Sequence, residues 1–144
     1  MNSAPIEFGK KKFEELGVDV DMSVMRLQDL SNIDSKSVDV AYTSAVLQHI
    51  PPEFIPDILA NMIRISKKYV VLWELHGFSP ADAYVHRFFI DVTPGLDGRW
   101  LHDYWKILSQ LGVNKELITA QQLDPDICLG KVSDANCIFS FPVF

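Results

Sequence analysis

The stretch KYVVLWEL, residues 68–75, constrains this chain more than any other. It is apolar almost without a break, of strand length rather than helix length, and rich in β-branched and aromatic side chains. Such a run suits a strand covered on both faces. Around it, helical and strand-like patterns alternate. PIEFGKKKFEEL, residues 5–16, sets Ile6, Phe13 and Leu16 on one side at helical spacing, with Pro5 suited to a first turn and Gly17 to a C-terminal cap. Val18, Val20, Met22 and Val24 then alternate as in a strand that runs on to Leu27, and VDVAYT, residues 38–43, forms a second strand.

Pro51 and Pro52 restrict the backbone where the next helix starts, and Ile55, Leu59, Met62 and Ile63 form its apolar stripe. After the apolar run, residues 76–99 carry Gly77, Pro80, Pro94, Gly95 and Gly98, which predicts a long lid-like connection with a short helix near PADAYVHRFF. RWLHDYWKILSQLG places Leu101, Tyr104, Trp105, Leu108 and Leu111 on one stripe and stops at Gly112, an amphipathic helix. ELITAQQL and ANCIFSFPVF close the chain as two strands. This alternation predicts a single α/β domain over residues 1–144, with a mostly parallel sheet sandwiched by helices.

Composition narrows the partners. The 144 residues are 48% hydrophobic and 22% charged, enough to bury one sizeable core, and the formal charge of -6 argues against a nucleic-acid partner. The two cysteines, Cys128 and Cys137, form no CxxC pair, and no histidines cluster at metal-ligand spacing, so no metal site is expected. No apolar run approaches the ~20 residues that cross a bilayer, and no signal pattern opens the chain, so the expectation is a cytoplasmic protein without a membrane partner.

In open sheets of this kind ligands bind at the carboxyl ends of the strands, here LQDL, YTSAVLQH and WELHG. Asp29 is either a ligand-reading carboxylate or a cap. Thr43 and Ser44 suit a polar approach to a ligand and, equally, the satisfaction of orphan amides where a helix starts. Glu74 either reaches solvent or enters the cleft, where burial would raise its pKa. His49, His86 and His102 are the candidate acid–base residues, against structural hydrogen bonding for His49 and helix capping around His102.

The order and spacing of strand-D-L, then SVDVAYTSAVLQHI, then a helix ending MIRIS, then KKYVVLWE, resembles the second half of class I S-adenosylmethionine-dependent methyltransferases. The resemblance implies a three-layer Rossmann-like fold whose last strand is antiparallel. It also implies that Asp29 contacts the adenine amino group of S-adenosylmethionine with the Leu30 backbone beside it, and that Thr43, Ser44 and Val46 line the methionine end. The implied activity is methyl transfer to a small-molecule acceptor. One departure stands out: the family's glycine-rich cofactor loop has no counterpart, because only Met1 to Pro5 precede the first helix, and the ribose-binding acid would fall at about Met1. The domain is therefore expected to be N-terminally incomplete, to bind the cofactor weakly, and to self-associate through an open sheet edge. The alternative is a non-catalytic methyltransferase-like interaction module.

Overall fold

The structure, a computed structural model, describes residues 3–75, 85–88, 99–122 and 136–144. A four-stranded sheet runs in the order β1 (Val38–Ser44), β2 (Ser66–Leu75), β6 (Asn136–Pro142) and β5 (Thr119–Gln122). β1 and β2 are parallel, and β6 runs antiparallel to both β2 and β5. The apolar run lies between two neighbouring strands, but it is covered on one face only, since Tyr69 and Trp73 are exposed, which corrects the expectation of a strand covered on both faces; the closing strand is antiparallel as expected. A separate hairpin-like pair joins β3 (Val85–Phe88) to β4 (Arg99–His102).

The core lies on one face of the sheet. Helix α2 (Ile55–Ile65) begins with Pro56 in its first turn, where the missing N–H costs nothing, and buries Ile55, Ile58, Leu59, Met62 and Ile65. Helix α3 (Tyr104–Gln110) buries Tyr104, Ile107 and Leu108. Both meet Val70, Leu72, Phe139 and Phe141 of the sheet in a single apolar cluster. On the other face, Val40, Tyr42, Tyr69 and Trp73 remain exposed.

Helix α1 (Ala4–Glu15) forms where expected, with Pro in its first turn and Gly17 in the left-handed region just beyond its end, but it buries no residue. Its described neighbour is the segment after it: a Cβ on Gly9 would lie 2.8 Å from Met22 Cε, so the glycine admits that methionine closely.

Three further sequence expectations are corrected. Residues 18–27 form no strand; residues 18–26 take no regular secondary structure and lead into the 3-10 turn Leu27–Asn32. Alternation marks a strand only when a neighbour satisfies its peptides, and no described strand lies beside this one. The short helix expected near residues 80–89 lies mostly outside the described residues, and its described part is strand β3. The helix expected from Arg99 starts only at Tyr104, because Asp103 caps it by accepting from the Lys106 N–H at 3.0 Å, while Arg99–His102 is β4.

Arg64, the arginine of MIRIS, ties the fold to the loop that follows Asp29. One guanidinium nitrogen donates to the Ile33 carbonyl at 2.7 Å and to Ser35 Oγ at 3.1 Å, and the other donates to the Leu30 carbonyl at 2.9 Å. Arg64→Ala should cost about 2–4 kcal/mol in urea unfolding, since two carbonyls lose charged donors. Arg64→Lys should recover little, because one ammonium lacks the planar fork. Full stability in Arg64→Ala would show that residues 30–35 hold themselves.

Candidate functional site at the carboxyl end of β1

β1 ends in a sharp turn. Ala45 adopts a positive φ of 54°, its N–H donates to the Trp73 carbonyl at 2.9 Å, and the chain then enters the 3-10 turn Leu47–His49. A non-glycine residue in that region must be held by its surroundings. Here Glu74, at the end of β2, does the holding. Its two oxygens accept from the Val46 N–H at 3.0 Å and the Leu47 N–H at 3.1 Å.

Glu74 is buried, which settles its two sequence readings in favour of the interior. Burial pushes its pKa up, and the N–H groups of Val46 and Leu47 pull it partly back. The Thr43 hydroxyl also favours the charged carboxylate, although its buried oxygen completes no hydrogen bond of acceptable geometry.

Beneath this turn lie His102 and Tyr104, both fully buried. His102 Nε2 is 2.9 Å from the Leu47 carbonyl oxygen, which accepts when that nitrogen carries the proton. Desolvation lowers the His102 pKa, so the ring is held neutral. Tyr104 packs edge-on to His102 with ring centroids 5.9 Å apart, and burial, with the Glu74 charge, raises its pKa well above the ordinary value. These groups form a polar floor for the turn, closed to solvent.

The candidate residues fall into distinct places. Thr43 is buried at the end of β1, while Ser44 and Val46 are exposed beside it. Leu30 is buried and belongs to the same apolar cluster as Leu47. Asp29 is half-buried, and its Oδ2 accepts from the Arg26 N–H at 3.2 Å, so it caps its own turn. His49 is exposed in the 3-10 turn with Nε2 3.3 Å from the Gln48 amide nitrogen. His102 is a buried ring that supports the turn through the Leu47 carbonyl. The backbone of His86 pairs with Leu101 in β3.

Sequence reasoning did not foresee that Glu74, Leu47 and Tyr104 meet around this turn. Only Glu74 carried a signal, as an acid inside an apolar strand, which must find donors if it turns inward. Cys137 is buried, and its thiol is pushed up to about 11, so it offers no thiolate at neutral pH. Among the described residues no group of three His, Cys, Asp or Glu could hold a metal ion, and no helix is long and apolar enough to cross a membrane. An apolar cleft of about 270 Å³ lies at the other end of the sheet, lined by Ile63, Leu111, Val113, Leu117, Phe141 and Val143, and takes in none of the candidate residues.

No protein-family model and no curated protein matches the chain. Among solved structures, a SAM-dependent methyltransferase from Methanosarcina mazei is similar over 99% of this chain and 79% of that one, with a TM-score of 0.66 at 14% sequence identity. That likeness, with the parallel β1–β2 pair, the antiparallel β6 and the turn after β1, shows that this chain has a class I S-adenosylmethionine-dependent methyltransferase-like fold.

Proposed function

We propose that the chain carries the adenine and methionine side of an S-adenosylmethionine site and belongs to a methyltransferase acting on a small-molecule acceptor. The observation that supports this most is the turn after β1, where Glu74 holds the Val46 and Leu47 amides and leaves Ser44 and Val46 exposed at the carboxyl end of a parallel strand. Asp29 Oδ1 would accept from the adenine amine, the Leu30 backbone would lie beside the ring, and Thr43, Ser44 and Val46 would line the methionine end. Thr43 Oγ1 is buried on the side of the Glu74 carboxylate, so Ser44 and Val46 would form the exposed part of that lining.

When bound, the cofactor supplies a methyl group on a sulfonium, whose S–CH3 bond breaks as the acceptor's nucleophile forms its own bond to carbon. The chain's part is alignment and the exclusion of water, and it needs a base only for a weakly acidic acceptor. His49, exposed beside the turn, and His86 are the remaining candidates for that base. The acidic net charge of -6 favours a small acceptor over nucleic acid.

No glycine-rich cradle or ribose acid is found among these residues, so weak binding by this chain is expected. Ligand-observed NMR with S-adenosylhomocysteine tests the reading. Asp29→Ala should weaken the signal by about 10-fold or more, the worth of one charged hydrogen bond. The inosine analogue, which lacks the exocyclic amine, should bind wild type as poorly as the natural ligand binds Asp29→Ala. Equal binding of both ligands by wild type would remove the adenine assignment. No binding of either would favour the second reading, a non-catalytic interaction module.

A further inference from the structure

We infer that β1 is a pairing edge for a second copy of this chain, joined antiparallel about Ala41 so that Val40 of each copy faces Tyr42 of the other. The sheet order leaves β1 at the edge, with β2 as its described neighbour. A strand edge carries unpaired peptides along its free side, and proteins that leave one open normally blunt it with proline, lysine or a bulge. From Val40 to Ser44 this strand has none of these: its residues are Val, Ala, Tyr, Thr and Ser, and the register slips only before Val40. Its one charge, Asp39, is matched within the same copy by Lys68 at 3.0 Å.

The face beside this edge is apolar as well. Pairing sets Val40, Tyr69 and Pro142 in one row, Tyr42, Val71 and Ser140 in the next, and Ser44, Trp73 and Ile138 in a third, with no charged residue among the nine. Tyr42 is 74% exposed, Tyr69 49%, Val40 44% and Trp73 42%. Val40 and Tyr42, the members of these rows on β1 itself, are the side chains that gain cross-strand neighbours when the edge is paired.

A second copy fits because the strand is self-complementary. With Ala41 on a two-fold axis, all seven residues of β1 pair: Ala41 with Ala41, Val40 with Tyr42, Asp39 with Thr43, and Val38 with Ser44. Aromatic against β-branched is among the favourable cross-strand pairs, and no like charges meet. Centring on Asp39 would oppose two carboxylates. Centring on Tyr42 would leave Val38 and Asp39 unpaired. The two-fold axis perpendicular to the sheet gives a continuous eight-stranded sheet whose helices all lie on one side, the closed symmetry usual for dimers. One strand pair makes a small interface, so association in the micromolar range is expected.

Light scattering and sedimentation from ~1 to ~300 μM would test the pairing against its register. Wild type should pass from monomer to dimer. Val40→Lys with Tyr42→Lys places lysine against lysine twice and should weaken the dimer by at least ~10-fold. Val40→Lys with Tyr42→Glu places opposite charges together twice and should keep it. Both positions are exposed, so the variants should fold, as circular dichroism would check. A wild type that stays monomeric throughout overturns the proposal. So does a dimer that survives the lysine pair, or one lost equally in both double variants.

Discussion

Glu74→Ala is expected to destabilise the domain by about 3–5 kcal/mol, because it strips the acceptor from two amides and leaves a void beneath the turn after β1. Glu74 is 1% exposed, so water does not readily replace it at the Val46 and Leu47 N–H groups. Against a total stability of about 5–15 kcal/mol, that loss leaves a partly unfolded chain. Glu74→Gln keeps the shape but turns an amide NH2 toward one of the two N–H donors, and should cost about 1–3 kcal/mol. Urea unfolding monitored by circular dichroism distinguishes them. A neutral Glu74→Ala would mean that the turn holds its positive φ at Ala45 without the carboxylate.

The same residue sets a pH dependence. Its folded pKa is raised above the ordinary value near 4.5, so the folded state binds the proton more tightly than the unfolded chain. Its contribution is therefore fully present below that ordinary value and is lost as pH rises through the raised one. His102 works in the opposite sense: its pKa is lowered from the ordinary 6.5, so its contribution is present above that value and lost as pH falls through the lowered one. Glu74→Gln should flatten the alkaline-going loss while leaving the acid-going loss in place. An unchanged profile would show that Glu74 does not titrate within this range.

Tyr104→Ala should be of similar severity, about 3–5 kcal/mol, for a different reason. The ring is fully buried, lies edge-on to His102 at 5.9 Å, and meets Phe139 of β6 at 5.6 Å, so it joins α3 to the sheet and to the floor of the turn. Removing it opens a cavity among three elements. Trp105 also meets Phe139 at 5.6 Å, so near-ultraviolet dichroism should lose aromatic signal along with stability. Tyr104→Phe preserves the volume and should cost less than about 1.5 kcal/mol. If Phe proves as damaging as Ala, the hydroxyl rather than the packing carries the role of this residue.

The candidate site was legible in part. The order of D-L, YTSAVLQH and WE located the strand ends from sequence, and Glu74 drew notice as an acid in an apolar run. What it grips was not legible, since its partners, Val46 and Leu47, lie 28 and 27 residues away in the chain. Arg64 is similar, reaching Leu30 across 34 residues and Ile33 across 31. His102 looked like a titratable candidate at the start of a helix, and burial made it a neutral support.

Local pattern alone determined α1, α2, β1, β2 and β6, because each carries its period or its apolar run within a dozen residues, with start and stop signals such as Pro51, Pro56 and Gly17 nearby. The tertiary structure decided the fate of residues 18–27, whose alternation is as strand-like as that of β1. A strand is a property of two chains segments in register, and periodicity describes only one of them. For the same reason Arg99–His102 became strand rather than helix once Val85–Phe88 lay alongside it, and the direction of the Glu74 side chain followed from which face of β2 the helices cover.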